Sequence, residues 1–192
     1  MPKQKVTSEE ILKQSFKLFR EKSYHNTSMA DIADACGILK GSLYHYYSSK
    51  EALMSAVIDY AHTYFKEKIF SLAYNEELSP QERIEKMFQK SEKTLLSDGN
   101  IMGNIGVETA RIVPEFANLI KDFYMEWINA VAYIFRKITN EKDAQNLAEQ
   151  TVAEFEGAVM MSRIFKDTRF MKNAYLRLKS RFAAITLSDF KH

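Results

Sequence analysis

The stretch from Thr27 to Leu53, TSMADIADACGILKGSLYHYYSSKEAL, decides the fold of this chain. It holds two short helical patterns joined by a tight turn at Gly37, and a longer helical pattern begins at its end. The first pattern carries one apolar stripe at helical spacing, formed by Met29, Ile32, Ala33 and Cys36. Two short helices joined in this way indicate a helix-turn-helix, the arrangement with which many proteins read DNA.

The second short helix is predicted over about Lys40 to Tyr47, and its two sides differ. Leu43 and Tyr47 lie four residues apart and therefore share the inward side. The outward side presents small, hydroxylated or ring-bearing residues, namely Gly41, Ser42, Tyr44, His45 and Tyr46. Small residues suit base edges and longer ones reach phosphates, so this side favours DNA binding. The alternative is an ordinary surface helix with a polar outer face.

Basic and hydroxylated residues at the helix starts support the same interpretation. Lys50 lies in the first turn of a predicted helix, where a positive charge opposes the helix dipole unless an anion is bound. A DNA phosphate is such an anion. Lys40 opens the second short helix and can reach a base or a phosphate. Thr27 and Ser28 open the first one, where they are predicted to hold the other DNA strand.

Composition limits the class of protein. The chain has 192 residues, 46% of them apolar, and no apolar run reaches the ~18 residues of a membrane span. The start has no signal-peptide pattern, and the lone Cys36 suits a reducing compartment, so a cytoplasmic location is expected. Residues 1–50 hold eight Lys/Arg and five Asp/Glu, net +3, against net −1 for the rest. This asymmetry fits a basic DNA-binding head, although a difference this small also arises by chance.

Helical patterns continue to the end of the chain. Capping boxes mark three helix starts. Thr7 with Glu10 opens the first helix, and Thr27 or Ser28, with Asp31, opens the second. Ser48 with Glu51 is predicted to open a fourth helix that runs past Phe70. A turn at Asp98-Gly99-Asn100 precedes a short helix from Ile101 to Ile112. The fold class predicted is all-α with about nine helices. Residues 1–48 are predicted to form the helix-turn-helix domain, and residues 49–192 a larger helical ligand-binding and dimerisation domain.

From Ile11 to Leu53 the chain resembles the tetracycline-repressor (TetR) family of bacterial transcription regulators. The likeness includes Thr27, Asp31-Ile32-Ala33, Gly37, Lys40-Gly41-Ser42-Leu43-Tyr44 and Lys50. Cys36 and Tyr47 depart from it, since alanine and phenylalanine are usual there. The resemblance implies a homodimer that places each protomer's second short helix in a major groove. It implies DNA contacts by position from Thr27, Lys40, Ser42, Tyr44, His45, Tyr46 and Lys50.

The resemblance also implies a small-molecule pocket in the C-terminal part, whose sequence gives weaker signals. The residues predicted to line it are Tyr64, Phe88, Ile105, Phe123, Trp127 and Phe155. Plain core is the alternative for each of them. Helix 8, predicted from Asn140 to about Phe165, and helix 9, predicted to start at Thr168, are expected to form the dimer interface. Small residues there allow helices to approach closely. Glu108 is expected either to meet a cationic ligand or to face water.

The sequence thus predicts a homodimeric, sequence-specific DNA-binding regulator, a repressor released from a palindromic operator on double-stranded DNA by an unknown small-molecule effector. The alternative is a DNA-binding architectural or partner-recruiting factor without a ligand. An enzyme is not expected. His25, His45, His62 and His192 lack metal-ligand spacing, so neither a metal site nor a catalytic residue is predicted, and no cofactor or membrane partner is expected.

Overall fold

The computed structural model of the chain describes residues 6–98, 101–109 and 113–189. Within these ranges the regular structure consists of nine α-helices and a short 3-10 helix, and no strand occurs among them, as the all-α prediction required. The helices are α1 (Ser8–Lys22), α2 (Met29–Ala35), α3 (Lys40–Tyr46), α4 (Lys50–Lys68), α5 (Pro80–Asp98), α6 (Ile101–Thr109), α7 (Pro114–Phe135), α8 (Glu141–Phe165) and α9 (Arg169–Asp189).

Residues 1–63 and 100–121 form one compact unit. Its first two helices begin at the predicted capping boxes. Thr7 and Glu10 exchange hydrogen bonds at the start of α1, and Ser28 and Asp31 do so at the start of α2. Gly37 turns the chain between α2 and α3 with φ of +65°, a conformation that glycine adopts without strain. The core of this unit is apolar and includes Ile11, Phe19, Ile32, Leu43 and Leu53.

The start of α4 differs from the prediction by one residue. Ser49, not Ser48, caps the helix, because its hydroxyl accepts the Ala52 N–H at 3.1 Å. The helix also ends earlier than predicted, at Lys68, and a 3-10 helix from Phe70 to Tyr74 follows. The predicted turn at Gly99-Asn100 and the predicted end of helix 6 at Ile112 lie outside the described residues.

Residues 64–99 and 122–192 form the second compact unit. In it α8 packs along α9, and α5 packs against both and against the 3-10 helix. Arg83 of α5 is only 3% exposed and holds α5 to the 3-10 helix and the loop after it. Its guanidinium donates to the carbonyls of Ala73 and Leu78, at 3.3 and 2.9 Å, and to the carboxylate of Glu76 at 2.9 Å. The buried charge is therefore paired and hydrogen-bonded, as burial requires.

The chain passes from the first compact unit to the second after Thr63, within α4, and the domain boundary predicted at residue 48 stays a prediction. The first unit includes α4 as far as Thr63, about three-quarters of its length, and takes in α6 and the start of α7. The reason is packing, since α6 contacts α1 and the apolar residues Leu53, Val57 and Ile58 of α4 are buried. No helix in the described part of the chain is both long enough and apolar enough to cross a membrane.

Candidate nucleic-acid interface

Helix α3 has the two-sided character that the sequence predicts. Leu43 is completely buried, whereas Tyr44, His45 and Tyr46 are exposed, Tyr44 at 44% and Tyr46 at 38%. Gly41 is exposed as well, and a Cβ added there would meet no atom within 4 Å. Because glycine has no side chain, the outer surface of this helix is recessed around Gly41, which leaves room for a large partner to approach it closely.

Tyr47 ends the helix and fixes it to α1. Its hydroxyl shares a 2.7 Å hydrogen bond with the Ser8 hydroxyl, which supplies the partner that a half-buried tyrosine needs. Tyr46 is held in a similar way, because its hydroxyl donates to the Val6 carbonyl at 2.9 Å. The Tyr46 ring remains exposed beside that bond. These two bonds join α3 to the start of the chain, and sequence spacing could not foresee them.

At the start of α2 the two candidate residues have different surroundings. Ser28 is exposed and accepts the Asp31 N–H at 3.2 Å, and the Asp31 carboxylate accepts the Ser28 N–H at 2.8 Å. Hydrogen bonds from Ser28 lower the pKa of Asp31 to about 2. Thr27 is 1% exposed, and its hydroxyl donates to the Ser23 carbonyl at 2.8 Å. The Thr27 side chain is thus buried in the turn before α2 and does not belong to the exposed surface.

Lys50 lies in the first turn of α4, and its ammonium group already has a partner. Its Nζ donates to the carbonyl of Tyr24 at 2.8 Å and lies 4.2 Å from the centre of the Tyr24 ring. The Tyr24 hydroxyl in turn donates to Glu51 at 3.1 Å. Burial and this carboxylate raise the pKa of Tyr24, so the hydroxyl stays protonated. An ammonium group carries three N–H donors, so Lys50 can donate to a further acceptor while it is bound to the Tyr24 carbonyl.

Glu108 of α6 is bound to backbone groups of its own unit. Its carboxylate accepts the backbone N–H groups of Tyr24 and His25, at 3.3 and 2.9 Å, in the turn between α1 and α2. Both sequence expectations for Glu108 were therefore incomplete. The carboxylate holds the turn that also carries the carbonyl bound by Lys50.

Leu39, which is not among the predicted DNA contacts, directly precedes α3. Leu39 occupies the N-cap position and is 79% exposed. A signal for it was present in the sequence, because serine, threonine, aspartate or asparagine is preferred at this position and leucine is not.

The second unit contains a cavity among α5, α7, α8 and α9. It is lined by Ile84, Met87, Phe88, Ser91, Trp127, Val131, Thr151, Phe155 and Leu178, and its free volume is about 20 Å³. This is room for about one water molecule. Three of the six predicted pocket residues, Phe88, Trp127 and Phe155, line it together.

The other three predicted pocket residues do not line that cavity. Phe123 is buried with its ring 5.2 Å from the ring of Phe65. Tyr64 is 43% exposed, and Ile105 belongs to the first unit. Their apolar character therefore reflects packing elsewhere in the fold rather than a place beside this cavity.

The exposed helix α3 follows a turn at Gly37. The capped start of α2 precedes that turn, and Lys50 lies in the first turn of α4, which follows α3. This arrangement is that of the helix-turn-helix class of DNA-binding proteins. The family model for bacterial regulatory proteins of the tetR family matches residues 11–57. The model for the C-terminal domain of LmrA/YxaF-like transcriptional regulators matches residues 80–175. The chain belongs to the tetR family of bacterial transcriptional regulators and is a DNA-binding regulator.

Individual relatives agree with this assignment. The chain is 27% identical over 168 residues to the HTH-type transcriptional regulator YxaF of Bacillus subtilis, covering 83% of this chain and 86% of that protein. It is 22% identical over 163 residues to the transcriptional repressor DhaR of a Mycobacterium species, covering 82% of each. A TetR transcriptional regulator from Legionella pneumophila has the same fold, with a TM-score of 0.84, 22% identity, and coverage of 94% and 99%.

Proposed function

We propose that this regulator binds a palindromic operator as a homodimer and represses transcription until a small apolar molecule releases it. The observation that carries the DNA-binding part is the exposed surface of α3, which is low at Gly41 and flanked by tyrosine and histidine rings. Such a helix enters the major groove with its N-terminal residues nearest the bases. A regulator of bacterial genes works beside the chromosome, so we propose a cytoplasmic location.

The proposed DNA contacts fall into two sets. Gly41, Ser42 and His45 face base edges, because they lie on the outward side of α3. Phosphates are contacted by Ser28, Lys40, Tyr44, Tyr46 and Lys50. Thr27 is omitted from both sets because its side chain is buried. Lys50 binds a phosphate with the donors that Tyr24 leaves free, and the N–H groups at the start of α4 add to that attraction.

The proposed dimer forms through α8 and α9. Four large apolar side chains on these helices are exposed in the single chain, Met160 at 57%, Ile164 at 66%, Phe165 at 56% and Leu176 at 59%. Met160 and Ile164 are four residues apart and lie on one face of α8. A twofold interface brings the same patch of both copies together, so exposed apolar residues on one face suit it.

Substituting Lys50 and His45 tests the proposed DNA contacts, because the two residues have different roles. Lys50→Ala is expected to weaken binding to all DNA sequences about tenfold and to flatten the salt dependence by about one unit per half-site, since one phosphate contact is lost. His45→Ala is expected to change which bases are preferred. Binding titrations at several salt concentrations measure both effects.

The matched control is Lys13→Ala, which removes a lysine of α1 that pairs with Glu9 on the surface. It is expected to leave the salt dependence unchanged. Thermal unfolding of each variant checks that the head remains folded, since Lys50 also binds the Tyr24 carbonyl. An unaltered salt dependence in a folded Lys50→Ala protein would contradict the phosphate role, and a uniform loss in His45→Ala would make His45 a backbone contact.

We propose that the effector binds at the cavity lined by Phe88, Trp127 and Phe155. The lining is apolar apart from the hydroxyls of Ser91 and Thr151, which favours an apolar, ring-bearing molecule with a hydrogen-bonding group. Pockets for such molecules have volumes of about 300–1,000 Å³, so side chains must move to admit one. Met87 is suited to this movement, because its unbranched side chain adapts its shape readily.

The small volume of the cavity, about 20 Å³, favours a second candidate function, that of a DNA-binding factor without a ligand. The fluorescence of Trp127 distinguishes the two candidate functions, because Trp127 is the only tryptophan of the chain and lines the cavity. A panel of apolar aromatic compounds is titrated while Trp127 fluorescence and operator affinity are measured. We expect a compound that changes the fluorescence also to weaken operator binding.

Trp127→Phe is the control for this titration, because it keeps the ring and removes the signal. A compound that alters the emission of Trp127 but leaves operator affinity unchanged would contradict ligand-controlled release and support the second candidate. An enzymatic role has no support among the relatives, which are transcriptional regulators. Burial raises the pKa of the Cys36 thiol, which makes it a poor nucleophile.

A further inference from the structure

Leu39 projects from the start of α3 into solvent. Its side chain is 79% exposed, although leucine is normally buried. Its backbone is fixed, because its carbonyl accepts the N–H groups of Ser42 and Leu43 at 2.9 and 3.2 Å. The backbone of Leu39 is thus held at a defined place, and its side chain touches little of its own protein.

Leucine is a poor choice for this position on stability grounds alone. It makes no side-chain hydrogen bond to the free N–H groups of α3, whereas Thr7 and Ser28 cap α1 and α2 in that way. Leu39 therefore contributes neither a cap nor core packing, and its side chain is available to a partner that approaches this end of α3.

The neighbours of Leu39 indicate which partner that is. Lys40 and Gly41 follow it directly and are exposed, and both belong to the proposed DNA surface. The leading end of a recognition helix lies closest to the base edges. Among the groups that the four bases present in the major groove, the C5-methyl of thymine is the apolar one, and it suits an apolar side chain.

We propose that Leu39 reads a thymine in each operator half-site by packing against its C5-methyl group. Leu39 is then a specificity-determining residue whose contact is apolar rather than hydrogen-bonded. This proposal rests on the proposed function, since it requires α3 to lie in the major groove. It differs from the contacts proposed above because it selects one base without any donor or acceptor.

Replacing thymine by uracil tests this proposal, because the exchange removes only the methyl group. Each thymine of a selected operator is replaced in turn by uracil, and the affinity of the wild-type protein is measured. We expect one position per half-site at which affinity falls about fourfold, the effect of one buried methyl group. Leu39→Ala is expected to bind thymine and uracil equally at that position and to match the wild type elsewhere.

A double-mutant cycle combines the thymine-to-uracil exchange in the DNA with Leu39→Ala in the protein. It distinguishes a direct contact with the methyl group from an altered DNA shape. Shape effects of uracil persist in Leu39→Ala, whereas a lost methyl contact does not. Circular dichroism confirms that Leu39→Ala is folded, as expected for an exposed residue. Leu39→Ser is a second variant that restores a capping side chain and must likewise lose the thymine preference.

The outcomes are distinct. A wild-type protein indifferent to every thymine-to-uracil exchange overturns the proposal, and so does a Leu39→Ala protein that keeps the preference. Loss of dimerisation in Leu39→Ala, without loss of thymine preference, would assign Leu39 to a protein contact instead and also overturns it. Failure of the wild-type protein to bind any operator would contradict the proposed function itself.

Discussion

Ile164→Glu is expected to convert the dimer to a monomer and to lower operator affinity about 10²- to 10⁴-fold. Ile164 is 66% exposed on α8, in the face proposed to meet its copy. A twofold interface would place the two new carboxylates in the same patch, where like charges and lost apolar burial both oppose association. The affinity falls because each half-site is then bound separately, without the raised effective concentration that linkage provides.

Sedimentation velocity and operator titration measure the two parts of this prediction. Met125→Glu is the matched control, because it adds the same charge at an exposed apolar residue of α7, 44% exposed, outside the proposed interface. The control is expected to remain a dimer with normal operator affinity. A folded Ile164→Glu protein that stays dimeric would show that this part of α8 lies outside the interface.

Gly41→Leu is expected to abolish operator binding, with a loss of about 10²-fold or more, while the protein stays folded. A Cβ at this position meets nothing within 4 Å in the protein, so the new side chain extends outward. Replacing a helical glycine also favours the helix by up to about 1 kcal/mol. In the groove the same side chain would hold α3 away from the bases, and each lost base contact costs about 1–3 kcal/mol.

Gly41→Ala gives a graded comparison, because it makes the same gain in helix propensity with much less bulk. Thermal unfolding is expected to show both variants at least as stable as the wild type. Operator titrations are expected to show a small loss for alanine and a large one for leucine. Normal affinity in Gly41→Leu would mean that the surface at Gly41 does not approach DNA closely.

Local signals in the sequence were sufficient for most of the fold. The box at Thr7 was predicted correctly, and the box of α2 was predicted at Thr27 or Ser28, because a cap involves residues only three apart. The structure has it at Ser28. The turn at Gly37 followed from the conformational freedom of glycine. The cap of α4 was misplaced by one residue because Ser48 and Ser49 are adjacent and a local pattern does not distinguish them.

The site depends on contacts that no local pattern contains. Lys50 binds the Tyr24 carbonyl across 26 residues, and Glu108 binds the turn at Tyr24 and His25 across more than 80. Helical periodicity indicates which face of one element is apolar, but it does not say which side chain of another element lies opposite. The burial of Thr27 and the exclusion of Tyr64, Ile105 and Phe123 from the cavity have the same origin.

The central claim is that two copies of α3 read DNA sequence, and selection from random DNA tests it most directly. Purified, folded protein is incubated with a pool of random duplexes at about 0.15 M salt, and the bound fraction is sequenced. We predict an enriched inverted repeat whose half-site centres lie one DNA turn, about 34–36 Å, or a multiple of it apart. No enriched sequence from a folded, ligand-free dimer would contradict the claim.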